Sequence, residues 1–175
     1  MTEVAQITVF DNFLQDPEAH LEEINSNQFQ DFKDGDKVFK NIQLRSGDQV
    51  EDKLLNIVQD FDCSYNFVRK SPKDQDEPNW VHHDKMMGDL IAILYLNKEH
   101  PDVAGTSIFK HNGSFIGKDE EPIIKKANPV ISVQMEFNRL IIIPAHVYHG
   151  RNIRGNFGEE ENSRLVQVLF LTKRQ

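Results

Sequence analysis

The sequence predicts a mostly β fold with flanking N-terminal helices, an α+β chain whose strands form an antiparallel sandwich or barrel. Three observations predict it. From Trp80 onward, five short runs rich in β-branched and aromatic residues follow one another, with turn residues between them and no helical pattern. Apolar residues at helical spacing are confined to the first 60 positions. A chain of 175 residues with 38% hydrophobic content builds one core of ordinary size and is short for two. We therefore read 1–175 as a single domain, with 1–79 as strand and helix support and 80–172 as the β core.

The elements follow in order. Ile7 and Val9 in "ITVFDNFL" give a short strand, and Asp16 before Pro17 supplies an N-cap and a first helical residue for a helix of about three turns. Val50, Leu54, Leu55 and Val58 recur at helical spacing, which predicts a second helix from about Gly47 to Asp60. "DFKDGDKVFKN" and "RKSPKDQDEPN" are charged and broken by Gly35, Pro72 and Pro78, so both are read as surface loops. The β runs are "DLIAILYLN", "GTSIFKH", "PVISVQM", "NRLIIIP" and "SRLVQVLFLT". Gly105 is expected to permit a tight turn into the second of them, and Met86-Met87 to pack in the core. "RGNFGEEENS", acidic and glycine-bearing, is expected to be a mobile loop.

Composition narrows the function classes. A net charge of −8 lacks the basic footprint of a nucleic-acid or anionic-membrane binder. The single cysteine, Cys63, excludes an internal disulfide and a multi-cysteine metal site, and fits a reducing compartment. The N-terminus shows no basic region followed by an apolar run, and no stretch approaches a membrane span. The expectation is a soluble, cytoplasmic protein.

The chemistry is concentrated in "WVHHDKMMGD". If Trp80 to Asp84 is extended, His82 and Asp84 share one face and His83 takes the other. An imidazole and a carboxylate two residues apart on a strand can reach one metal ion, and two-histidine, one-carboxylate sites with open positions are typical of non-haem Fe(II) oxygenases. A third ligand must come from elsewhere. Asp11, His20, His100 and His111 sit in loop or helix contexts, whereas "IIIPAHVYHG" offers His146 and His149 at the end of an apolar strand. So short a pair arises by chance in many proteins, and a solvated strand end is its ordinary alternative.

Further features raise the odds. His82-x-Asp84, then "ILYLNKEHPDVAGTSIF", "NRLIIIP", a histidine before a glycine and "SRLVQVLFL" come in an order that resembles the prolyl 4-hydroxylase-like branch of the 2-oxoglutarate and Fe(II)-dependent dioxygenases. The resemblance covers about Trp80 to Leu171, and "ITVFDNFLQDP" is similar to the way such domains open. It implies a double-stranded β-helix, the cupin-like jelly roll. It implies iron ligands at His82, Asp84 and His149, because the family's distal histidine follows a proline by five residues, as His149 follows Pro144 and His146 does not. Tyr95 and Arg164 match the residues that hold 2-oxoglutarate, with Thr106 a weaker second donor. Arg151 and Arg154 are rivals to Arg164, but they precede the acidic loop and lack a following alternating strand. The gap from His149 to Arg164 is longer than is usual in the family, which implies an extended hairpin through "GNFGEEEN".

The implied activity is hydroxylation of a substrate coupled to decarboxylation of 2-oxoglutarate to succinate and CO2, with dioxygen as cosubstrate and ascorbate as an optional reductant. The substrate class stays broad: a small molecule or a peptide, with a peptidyl or free amino acid such as proline permitted. Arg45, Trp80 and the loop from Lys70 to Asn79 are candidates to line the mouth, and the acidic loop suits a basic peptide by sign. Two other classes stand beside this one. One is a non-catalytic, cupin-like module binding a metal or small ligand, against which the intact ligand set and cosubstrate arginine argue. The other is a hydrolase or isomerase using the same ligands on Zn(II) or Mn(II).

Overall fold

A computed structural model describes residues 6–77, 79–109, 116–117 and 129–175, with 116–117 described as backbone only. Twelve strands and two helices are seen among them: β1 (Thr8–Phe10), α1 (Pro17–Ser26), β2 (Gln30–Asp34), β3 (Lys37–Leu44), α2 (Gln49–Ile57), β4 (Phe61–Ser71), β5 (Asn79–Val81), β6 (Leu90–Tyr95), β7 (Gly105–Phe109), β8 (Ile116–Gly117), β9 (Pro129–Gln134), β10 (Leu140–Pro144), β11 (His149–Arg151) and β12 (Arg164–Lys173). The chain is mostly β, and the strands pair antiparallel throughout. A seven-stranded sheet runs β1-β10-β6-β12-β4-β3-β2, a three-stranded sheet β11-β7-β9, and β5 pairs with β8.

The period-2 alternation of strand side chains builds two cores, one on each face of the large sheet. Leu165 and Leu169 of β12, Ala92 and Leu94 of β6 and Val68 of β4 turn toward Ile24 of α1 and Val50 and Leu54 of α2. Val166, Val168 and Phe170, with Ile91, Ile93, Tyr95, Ile141 and Ile143, turn the other way and meet Ile108, Ile131 and Val133 of the small sheet. The inner surface between the two sheets is where the expected site residues lie.

Both helices carry the caps that the sequence offers. Asp16 accepts from Ala19 N at 3.0 Å, and Asp48 accepts from Glu51 N at 3.0 Å. The second helix is shorter than Gly47 to Asp60, because its cap sits at Asp48 and Val58 already leaves helical geometry. The five β runs all appear, although Lys110 and His111 of "GTSIFKH" and Pro78 of the charged loop lie outside the described residues.

Several expectations are corrected. "DFKDGDKVFKN" is not a loop but the β2–β3 hairpin, turning at Gly35, whose φ of 58° suits the two-residue connection between paired Asp34 and Lys37. β4 had no sequence signal because polar residues occupy its inward positions: Asn66 faces the helices and Arg69 the inter-sheet space. Met86 and Met87 are exposed, at 86% and 36%, because the segment between His82 and β6 is a surface turn. Gly105 does not make a turn. Its φ of 151° opens β7, and a Cβ there would meet Val133 O at 2.0 Å, so close approach to β9 requires it. The segment after β11 is no hairpin either, since β11 pairs with β7 and β12 with β4 and β6. It crosses between sheets, anchored by Lys73 N to Gly158 O and Arg164 N to Phe157 O, with Phe157 packed on the inner core.

Candidate metal centre

His82, Asp84 and His149 converge. The end of β5 reaches β11 through a two-way backbone bridge, His82 N to His149 O at 3.0 Å and His149 N to His82 O at 2.8 Å, which places the two imidazoles side by side with ring centroids 4.7 Å apart. Asp84 N donates to Ala145 O at 2.8 Å, and this fixes the carboxylate beneath them. Asp84 Oδ2 lies 3.5 Å from His82 Nε2 and 3.3 Å from His149 Nε2. Ligand atoms of all three lie within 4.8 Å of one another.

The donor set fits a metal. Bonds of about 2.0–2.2 Å put two ligand atoms of one ion at most about 4.4 Å apart, and both measured separations fall inside that. The His149 Nδ1 lies 3.0 Å from Val147 O, a group that only accepts, so Nδ1 carries a proton and Nε2 is the ring nitrogen turned to Asp84. Burial alone would push the Asp84 carboxyl up, but the His149 and His82 rings beside it outweigh that and hold it well below the usual carboxylate range. His83 faces the other way with its ring 5.1 Å from Tyr148, and His146 is exposed.

A second polar group sits farther along the same inner surface. Tyr95 is fully buried and donates to Thr106 Oγ1 at 2.7 Å. Burial pushes the phenol up to about 12, so it stays protonated. Arg164 points to the same side, and among the described residues no side chain pairs with its guanidinium. It keeps partial solvent access yet lies deep enough that burial, reinforced by the Arg151 cation, lowers it to about 10.

Arg151 and Arg69 complete the cluster. Arg151 pairs across the sheet with Thr106, two residues beyond His149 on the same face. Arg69 Nη2 meets Glu77 Oε1 and Oε2 at 3.0 and 2.9 Å, and Arg151 Nη1 lies 3.7 Å from Glu77 Oε1. Burial would raise the Glu77 carboxyl, but these two guanidiniums hold it low. Trp80 is also adjacent, donating its indole N–H to Arg151 O at 2.7 Å. Arg45 is not: it sits on the helix side of the sheet, bonded to Glu23 and Asp48, and is removed from the list of mouth residues. A groove of about 860 Å³ beside it does not reach His82, Asp84 or His149.

No family model matches the sequence, and no curated protein sequence matches it significantly. Solved structures do. HygX from Streptomyces hygroscopicus with iron bound superposes with a TM-score of 0.64 at 11% identity, covering 97% of this chain and 83% of that one. The non-heme alpha ketoglutarate dependent epimerase SnoN from nogalamycin biosynthesis gives 0.64 at 11%, covering 98% and 82%. EctD from S. alaskensis with bound Fe gives 0.62 at 11%, covering 97% and 73%. The chain shares their fold. HygX has also been solved with nickel and 2-oxoglutarate bound, at 0.63 and 12%.

Within that shared fold, sequence reasoning missed Arg69 and Gly150, and offered Glu77 only as part of the loop from Lys70 to Asn79 at the mouth. Arg69 becomes visible only once β4 is known to be a strand, and Glu77 only once its loop is placed. Gly150 lies between His149 and Arg151, and a Cβ there would stand 2.5 Å from Trp80 O. It lets β5 approach β11 closely enough for the two histidines to meet.

Proposed function

We propose that this chain is an Fe(II)- and 2-oxoglutarate-dependent dioxygenase that hydroxylates a small molecule or peptide, built as a double-stranded β-helix of the prolyl 4-hydroxylase-like branch. The convergence of His82, Asp84 and His149 from two separate segments carries the reading. The fold shared with enzymes solved with iron and 2-oxoglutarate supports it.

In this reading His82, Asp84 and His149 would hold Fe(II). When bound, the iron with 2-oxoglutarate and dioxygen supplies oxidative decarboxylation to succinate and CO2 and the oxidising equivalent that hydroxylates the substrate. The protein's own part is placement. Asp84 stays ionised at working pH, and Val147 O holds His149 in the ligating tautomer. Because Tyr95 donates to Thr106, the Thr106 hydroxyl proton is left to donate toward an anion. Arg164 is the partner for the distal carboxylate of 2-oxoglutarate, a guanidinium fork matched to a carboxylate.

The test is an anaerobic titration of the metal-free protein with Fe(II) and then 2-oxoglutarate, followed in the visible range. A weak charge-transfer band that bleaches on admitting oxygen, with succinate formed, is the expected result. Metal binding with no band would favour the cupin-like binding module or the hydrolase.

A further inference from the structure

Three guanidiniums, those of Arg69, Arg151 and Arg164, face the same inter-sheet space from three different strands. Arg69 lies on β4 beside Phe67, whose ring belongs to the inner core. Arg164 lies on β12 two residues before Val166, on the same face. Arg151 faces them from β11, next to Thr106. Each is placed by strand parity, so the convergence is a property of the fold and not of flexible side chains.

The charges do not balance. Glu77 is the carboxylate among the described residues that acts on both Arg151 and Arg164, and its two oxygens are taken by Arg69. Among the described residues these three cations and one anion leave two positive charges in a half-buried setting, where the Arg151 side chain is only 14% exposed. Uncompensated buried charge is costly unless a ligand answers it. The distal carboxylate of 2-oxoglutarate at Arg164 answers one of the two, and the other belongs to Arg151. Its contacts to Asn156 Oδ1 at 2.5 Å and to Glu77 at 3.7 Å both run through Nη1, one nitrogen of a five-donor fork.

We infer that Arg151 binds a carboxylate of the substrate, so that the substrate is an anionic molecule anchored beside the metal centre. The inference rests on the function proposed above and names its substrate class. Arg151 shares its strand face with His149 two residues away, so a molecule held there by its carboxylate presents its nearer carbons toward the metal ligands. A single carboxylate suits the one remaining charge, whereas a dianionic phosphate would leave an excess negative charge. The sign is opposite to that expected from the acidic loop, whose Glu159 pairs with Lys73 and does not set the potential of the inner surface.

The experiment uses the full chain with Mn(II) and N-oxalylglycine, an unreactive 2-oxoglutarate analogue, and titrates in butyrate or inorganic phosphate by calorimetry. Butyrate should bind once per chain, more tightly than phosphate, and R151Q should weaken it by at least about tenfold, the loss of one charge-assisted contact. N-oxalylglycine binding should change little in R151Q and fall sharply in R164Q. The inference is overturned if R151Q leaves butyrate binding unchanged, if it loses N-oxalylglycine instead, or if phosphate binds more tightly. Should R151Q fold poorly, R151K keeps the charge without the fork and should still weaken butyrate several-fold. If the unaltered protein does not bind N-oxalylglycine, the dioxygenase reading fails separately, and the effect of R151Q on butyrate binding to the Mn(II) form still decides the anion site.

Discussion

At Asp84 a carboxylate lies between two imidazoles, and its environment decides its charge. Replacing it with alanine removes the one carboxylate of the three converging side chains and leaves two imidazoles, so D84A should reduce metal affinity by more than about 100-fold with little loss of fold, measured by calorimetry and circular dichroism. The two histidines after Pro144 separate in the same assay. H149A should abolish metal binding because the buried ring is part of the cluster, whereas H146A should leave it intact because that ring is exposed. The reverse result would overturn the ligand set.

Between elements, a buried polar chain ties the helices to the large sheet. His20 Nε2 donates to Gln167 Oε1, Gln167 Nε2 donates to Asp48 Oδ2 at 2.7 Å, and Asp48 also takes Arg45 Nε at 3.0 Å and caps α2. Asp48 and Arg45 side chains are each 8% exposed. D48A should therefore cost about 2 kcal/mol in denaturant unfolding, since it removes the α2 cap and one of the two carboxylates that Arg45 meets, leaving Glu23 as its partner. Burial would raise the Asp48 carboxyl, but its Glu51, Arg45 and Gln167 contacts depress it below its unfolded value. Its stabilisation is thus complete above the unfolded pKa, at about pH 4, and is lost as pH falls through the lower folded value. The acid limb of the stability curve should flatten in D48N. Gly150 is a positioning element of another kind: G150A should push β5 from β11 and weaken metal binding while leaving the rest of the sheets intact.

For the molecule as a whole, a metal held by residues from two segments binds the folded state and not the unfolded chain. Mn(II) at 100 times its dissociation constant should add about 2.7 kcal/mol, a rise in Tm of roughly 5–10 °C for a chain of this size, reversed by EDTA. A D84A protein should show no such shift. Among the described residues no helix is long and apolar enough to cross a membrane.

How much of this was legible depended on locality. The helix caps at Asp16 and Asp48, the five β runs after Trp80 and the parity of His82 and Asp84 are short-range properties, and periodicity carried them. β4 was invisible because Asn66 and Arg69 are polar yet face inward, satisfied by partners far away in sequence. Met86 and Met87 misled because hydrophobicity does not say which side of a turn is wet.

The sequence by itself determined which residue types could bind a metal and on which face of a strand they stood, because alternation is fixed by backbone geometry. Only the tertiary structure decided that β5 crosses β11 at Gly150, that β4 and β12 bring Arg69 and Arg164 toward Arg151, and that one carboxylate serves two of those arginines. Those facts depend on pairings between residues some 70 to 100 positions apart, which no local pattern encodes.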